Sequence, residues 1–118
     1  LKIDVGQSKT ADIMIDALET ALLDEMPEVR RASIWPLAWM NHERTPSILR
    51  RAYNIEQNSD VKSEIVRITT SLMADNAGAT EQGIQVSEEI LRSALKDADE
   101  VVKAVAESVV KNREAANM

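Results

Sequence analysis

Cysteine and phenylalanine are absent from this 118-residue sequence, glycine and proline number three each, and the aromatic residues are Trp35, Trp39 and Tyr53 alone. Without cysteine, neither disulfides nor thiolate metal sites can hold the chain together, so the core must come from packing. So little glycine and proline is poor material for an all-β fold with many tight turns. No run approaches the ~18 consecutive apolar residues of a membrane span. The N-terminus also lacks the basic, then apolar, layout of a signal peptide. The expectation is a soluble chain with no membrane contact, cytoplasmic by default. Because it begins at Leu1 rather than Met, a processed or excised piece is expected.

The chemistry of sites is thin as well. His42 is the one histidine, with no second imidazole or thiolate to share a metal. No P-loop, G-x-G-x-x-G or G-x-S-x-G spacing occurs, and the serines have a single imidazole to draw on. Carboxylate neighbours such as Glu88-Glu89 and Asp99-Glu100 stand at expected helix starts, where the dipole explains them without general acid work. The reading is therefore not an enzyme, with no metal and no cofactor.

What is present is helical material. Ala, Val, Ile, Leu and Met supply nearly all the apolar content, which favours helices packed closely on helices. The length fits one domain, 1–118. The net charge of −6 is uneven: residues 1–26 carry −4, residues 27–53 carry +3 and residues 54–118 carry −5. The basic centre surrounds "IWPLAWM" (34–40), which holds both tryptophans. An acidic total disfavours a general nucleic-acid binder, because duplex binding rests on neutralising phosphates.

An internal repeat organises the chain. "ALLDEMPEVRRAS" (21–33) and "ALKDADEVVKAVA" (94–106) superpose without a gap, sharing Ala-Leu, then Asp24 or Asp97, then Val29-Arg30 or Val102-Lys103. A weaker copy, "AYNIEQNSDVKSEIV" (52–66), keeps Val61-Lys62 and has one extra residue in the turn. Apolar residues at helical spacing precede each copy (Ile13, Ala17, Leu18, Ala21; Ile48, Leu49, Ala52, Tyr53; Ile90, Leu91, Ala94, Leu95) and follow it (Val29, Ser33, Leu37, Met40; Val61, Ile65, Ile68, Leu72; Val102, Val105 or Ala106, Val109). Helix starts are expected at Thr10 with Asp12, at Pro27, at Thr45-Pro46 with Thr45 as the cap, and at Ser87-Glu88-Glu89. Residues 75–86 read as one long exposed loop. Pro36 should kink or break its helix at Trp35, since an interior proline costs ~3 kcal/mol.

With these residues the chain resembles the HEAT-repeat family, in particular the short repeats of the phycobilisome-lyase-like type, which couple a turn Asp to a Val-Arg pair opening the second helix. The resemblance covers about residues 10–113; in the second repeat Glu56 and Lys62 stand for the Asp and Arg. It implies an all-α fold, an α-solenoid of about three antiparallel helix pairs in a right-handed superhelix, with repeats near 10–42, 45–75 and 86–114. It also implies that Asp24, Arg30, Lys62, Asp97 and Lys103 belong to a structural ladder between repeats, and it implies no single activity.

In such an array the second helices line the concave side. At about 100° per residue, the stripes opposite the core are Arg31, Trp35, Ala38 and His42; Ser63, Arg67, Thr70 and Ala74; and Ala104, Ser108, Lys111 and Ala115, with Trp39 at the edge of the first. These positions include Arg31, Arg67 and Lys111 and no acid. Tryptophan beside guanidinium groups is the composition of binding hot spots. The expected function is a non-enzymatic interaction or scaffold module that holds an acidic protein segment against Arg31, Trp35, Trp39, His42, Arg67 and Lys111. Alternatives are nucleic-acid or phosphate recognition, and a chromophore-associated role by analogy with lyase-type relatives. End repeats expose apolar faces unless capped, so a homodimer through the repeat ends is a further expectation, with Lys2 to Thr10 and the C-terminal "KNREAANM" as the candidate caps.

Overall fold

The computed structural model describes residues 5–74 and 79–116. Among them lie α-helices only: α1 (Val5–Ala21), α2 (Pro27–Met40), α3 (Thr45–Ile55), α4 (Ser59–Ile68), α5 (Glu81–Leu95) and α6 (Glu100–Ala116), with a π-helical turn, Thr69–Ala74, extending α4. Local chemistry accounts for most boundaries. Pro27 sits in the first turn of α2, where its missing N–H costs nothing. Asn41 ends that helix in the left-handed conformation (φ 51°), which asparagine tolerates better than most residues. The Asn58 side chain accepts the Asp60 and Val61 amides at the start of α4, and the Thr80 hydroxyl accepts the Gly83 amide at the start of α5.

Several expected boundaries move. Helix α1 starts by Val5 rather than near Thr10, so residues 5–10 are helical; Lys2 to Asp4 fall outside the described residues. Thr45 is the first residue of α3, and its buried hydroxyl donates to the Leu37 carbonyl of α2 at 3.1 Å instead of capping. Ser87 lies inside α5, buried. Of the expected loop 75–86, residues 81–86 are helix and 75–78 fall outside the described residues. Helix α2 runs unbroken through Pro36. The bond that Pro36 cannot make is to the carbonyl of Ala32, and Ala32 lies on the exposed side of the helix. Ile34, Leu37 and Ala38 meanwhile anchor both flanks in the core.

The helices pack as hairpins side by side. Helix α2 packs on α4 and α4 on α6, while α3 packs on α5 in the other layer; α1 packs on α2, and α5 on α6. The molecule measures 44 × 38 × 17 Å, its thinnest dimension corresponding to two helix layers at the usual 8–10 Å spacing. Its radius of gyration, 14.6 Å, exceeds the about 13.5 Å of a compact domain this long. The core runs between the layers: Ile15 and Leu22 of α1, Ile34 and Leu37 of α2, Leu49 of α3, Val61 and Ile65 of α4, Ile90 of α5, Val102 and Ala106 of α6. Each fully buried large side chain contributes roughly 1.5–3 kcal/mol of transfer free energy. Where α4 ends, Thr69 and Thr70 are buried and turn their hydroxyls back to the Val66 carbonyl, Thr70 at 2.9 Å. Such back-bonding competes with the helix ladder and matches the widening into a π turn, which packs against α2 and α5.

Candidate functional site

Residues four apart share a helix face, and α2 uses this to bring Trp35 and Trp39 together. Their rings stack with centroids 6.0 Å apart and planes inclined by 18°, within the range of favourable aromatic pairs. Both lie outside the core, 49% and 65% exposed. Arg31, one turn before Trp35, and Arg67 on the neighbouring α4 are exposed too. Glu64 of α4 stands between them, 3.8 Å from Arg31 and 3.4 Å from Arg67, so the cationic stripe holds an acid that the helical wheel did not place in it.

The other expected members of the stripe are dispersed. His42 is tied down: Nε2 lies 2.9 Å from Asp12 Oδ1 of α1, and Nδ1 accepts the Arg44 amide at 3.1 Å. With Nδ1 accepting, Nε2 carries the proton and donates to Asp12, joining α1 to the turn before α3. Lys111 lines a different surface, a shallow cleft of about 630 Å³ with Leu95, Ala104 and Glu107. Arg67 lines a separate groove of about 420 Å³ with Val109 and Arg113 between α4 and α6. Ala38, Ser63 and Thr70, expected on the exposed stripe, are buried. Each second helix has neighbours on its flanks as well as beneath it, so the buried arc is wider than a single core face.

Of the residues expected to form a ladder, Arg30, Lys62 and Asp97 make contacts between hairpins. Arg30 grips Glu56 with two parallel bonds, Nε to Oε1 and Nη2 to Oε2, each 2.9 Å. Lys62 reaches Asp97 at 2.7 Å and lies over the Tyr53 ring, 5.0 Å from its centroid. In both rungs a base on the second helix of one hairpin meets an acid in the turn of the following hairpin. Asp24 and Lys103 stand at the two ends: Asp24 accepts the Met26 amide at 2.9 Å, and Arg30 donates to the Asp24 main-chain carbonyl at 2.7 Å. Tyr53, whose hydroxyl donates to Asp97 at 2.7 Å, and Ser59, whose hydroxyl donates to Asp99, complete the second rung. Neither was legible beforehand, since Tyr53 reads as one more apolar residue of its helix. Glu64 had a signal, its spacing of three from Arg67.

Burial alone would raise the Asp97 carboxyl, but the bonds from Lys62, the Asp99 amide and Tyr53, together with the Lys62 charge, bring it down to about 2. Glu56 follows the same logic, its burial outweighed by Arg30 and the Asn58 and Gln57 amides, and is lowered. Burial and the bond to Asp97 push the Tyr53 phenol up. A carboxyl lower in the folded than in the unfolded chain stabilises the fold above its unfolded pKa, near 3.9, and loses that contribution as pH falls to the folded value. Titration from pH 5 to pH 2 should therefore cost on the order of 2 kcal/mol through Asp97, with Glu56 adding in the same direction. Urea midpoints measured against pH check this: Asp97→Asn should flatten the acid limb, and an unchanged slope would contradict the lowered carboxyl.

No group of three or more His, Cys, Asp or Glu residues that could hold a metal ion occurs among the described residues, and none of their helices is long and apolar enough to cross a membrane. No family model, curated protein or solved structure matches the chain.

Proposed function

We propose that the chain is a short α-solenoid of HEAT-like helix pairs that acts as a non-enzymatic interaction module, holding an acidic protein segment against Trp35, Trp39, Arg31 and Arg67. One observation carries the reading: two stacked indoles on one helix, together the largest apolar side chains of the molecule, are left outside a core that had room for smaller residues. Tryptophan supplies large apolar area with only two side-chain torsions to freeze, and arginine supplies forked donors for carboxylates. Glu64 holds the two guanidinium groups on either side of it while leaving the trio at a net positive charge. The rungs that join the hairpins, Arg30 to Glu56 and Lys62 to Asp97, support the solenoid reading.

The test is affinity capture from a lysate of the source cells, comparing the wild-type chain with an Arg31→Glu, Trp35→Ala, Arg67→Glu variant, followed by titration of the captured protein in purified form. All three side chains are exposed, so the variant should melt close to the wild type. A tryptophan hot spot contributes 2 kcal/mol or more, about a 30-fold loss in Kd. A partner retained equally by both chains would place function elsewhere on the molecule.

A further inference from the structure

The two ends of the helix stack differ in kind. With Arg30, Lys62 and Lys103 in register, the buried Ile34 of α2 and Val66 of α4 correspond to Glu107 of α6, and the buried Ala38 and Thr70 correspond to Lys111; both charged residues are exposed. The C-terminal end thus carries charges where the internal seams carry apolar or small side chains, which is how a terminal repeat is kept soluble.

The N-terminal end does the opposite. With Ala21, Ala52 and Ala94 in register, Met14 of α1 corresponds to Thr45 and Ser87, and Ala17 to Ile48 and Ile90, all four of which are buried. Ile13, 68% exposed, corresponds to the buried Val86. In α3 these positions face the preceding repeat: Thr45 bonds the Leu37 carbonyl of α2, Arg44 pairs with Asp16 of α1, and Ile48 lines a cleft with Leu22 and Leu23. The matching side chains of α1 are apolar and uncharged, yet exposed.

A second observation points to the same end. Each internal turn acid accepts the amide two residues on and, in addition, a base from the preceding repeat: Glu56 takes Asn58 N and Arg30, Asp97 takes Asp99 N and Lys62. Asp24 accepts the equivalent amide, from Met26, and has no base bonded to its carboxylate among the described residues.

We propose that this end is a stacking site for one further helix hairpin of the same type, seated on Ile13, Met14 and Ala17 and bringing a Lys or Arg from its second helix to the Asp24 carboxylate. The exposed face supplies the apolar seam, and the open acid supplies the charge complementarity that selects a basic repeat. The inference rests on the repeat-array reading and not on the tryptophan face, so a failed capture through Trp35 leaves it standing.

The probe is the chain's own second hairpin. A copy of residues 43–80 is joined ahead of Ser8 in place of residues 1–7, because Ser8 matches Glu81, to which residue 80 normally leads. Tethering removes the need for the hairpin to fold alone. The lengthened chain should gain helical ellipticity in proportion to the added residues and melt in one transition, about 5 °C or more above the parent. Asp24→Ala removes the acceptor of the Met26 amide in both chains, but should lower the melting temperature of the lengthened chain by clearly more than that of the parent, and Lys62→Ala in the added copy should have no further effect once Asp24 is gone. An added segment that stays unfolded or melts separately would overturn the proposal, as would equal effects of Asp24→Ala in both chains. So would a parent that sediments as a dimer and becomes monomeric on Ile13→Glu, since a second copy would then hold this face.

Discussion

Val102→Asp should unfold the C-terminal helix pair, and Val101→Asp beside it should be nearly silent. Val102 is fully buried in α6, which packs on both α4 and α5, whereas Val101 is 55% exposed. A carboxylate at 102 would sit in an apolar seam where burying an unpaired charge costs several kcal/mol. Truncation to Ala would lose only about 2 kcal/mol through missing methyl groups and the cavity they leave. Domains of this size hold about 5–15 kcal/mol in total, so the Asp variant consumes much of the reserve. At 101 an acid lies in the first turn of α6 beside Glu100, where the helix dipole favours it. Helical ellipticity and melting temperature distinguish the two variants, and hydrogen exchange should show α5 and α6 losing protection before α1 to α3, as expected when contacts run only between neighbouring hairpins. If Val102→Asp melted like the wild type, the register of α6 would be wrong.

The parts of this fold that the sequence makes legible are those encoded in short, repeated spacings. An acid six residues before a base recurs as Asp24 and Arg30, Glu56 and Lys62, Asp97 and Lys103. The apolar positions around it mark two helices per copy, and the structure has six α-helices among its described residues, with the starts of α1 and α5 earlier than that spacing puts them. Helix starts were harder, because the local signals are degenerate. Ser87 looks like a cap, yet α5 begins after Thr80, which brings Val86 into the helix and into a buried place. Pro36 misleads for a related reason. Its penalty is local, while the packing of Ile34, Leu37 and Ala38 that keeps the helix continuous is tertiary. The candidate site was legible in its tryptophans and arginines but not in its electrostatics. Glu64 lies just off the ideal stripe, and only the side-by-side packing of α2 and α4 brings it between Arg31 and Arg67.

Arg30 and Glu56 should show the largest pairwise coupling of any ion pair among the described residues. The Glu56 carboxylate is only 5% exposed, accepts both guanidinium bonds and also takes the Gln57 and Asn58 amides. Arg30→Ala would leave that charge with amides alone for company, a marked loss of stability. Glu56→Ala should cost less, because Arg30 is the more exposed partner and keeps its bonds to the Asp24 and Glu25 carbonyls. Removing both should fall well short of the sum of the single losses, giving a coupling energy above about 1.5 kcal/mol in a double-mutant cycle. The surface pair Arg50 and Glu89 should give no more than about 0.5 kcal/mol by the same measurement. Arg30→Lys separates charge from geometry: an ammonium can satisfy one carboxylate oxygen but not the fork, so part of the loss should remain. The second rung already uses lysine, and there the Tyr53 hydroxyl supplies the additional donor to the carboxylate. Equal coupling for the buried and the surface pair would mean that the rungs between hairpins are incidental contacts, and that apolar packing alone sets how one hairpin seats on the next.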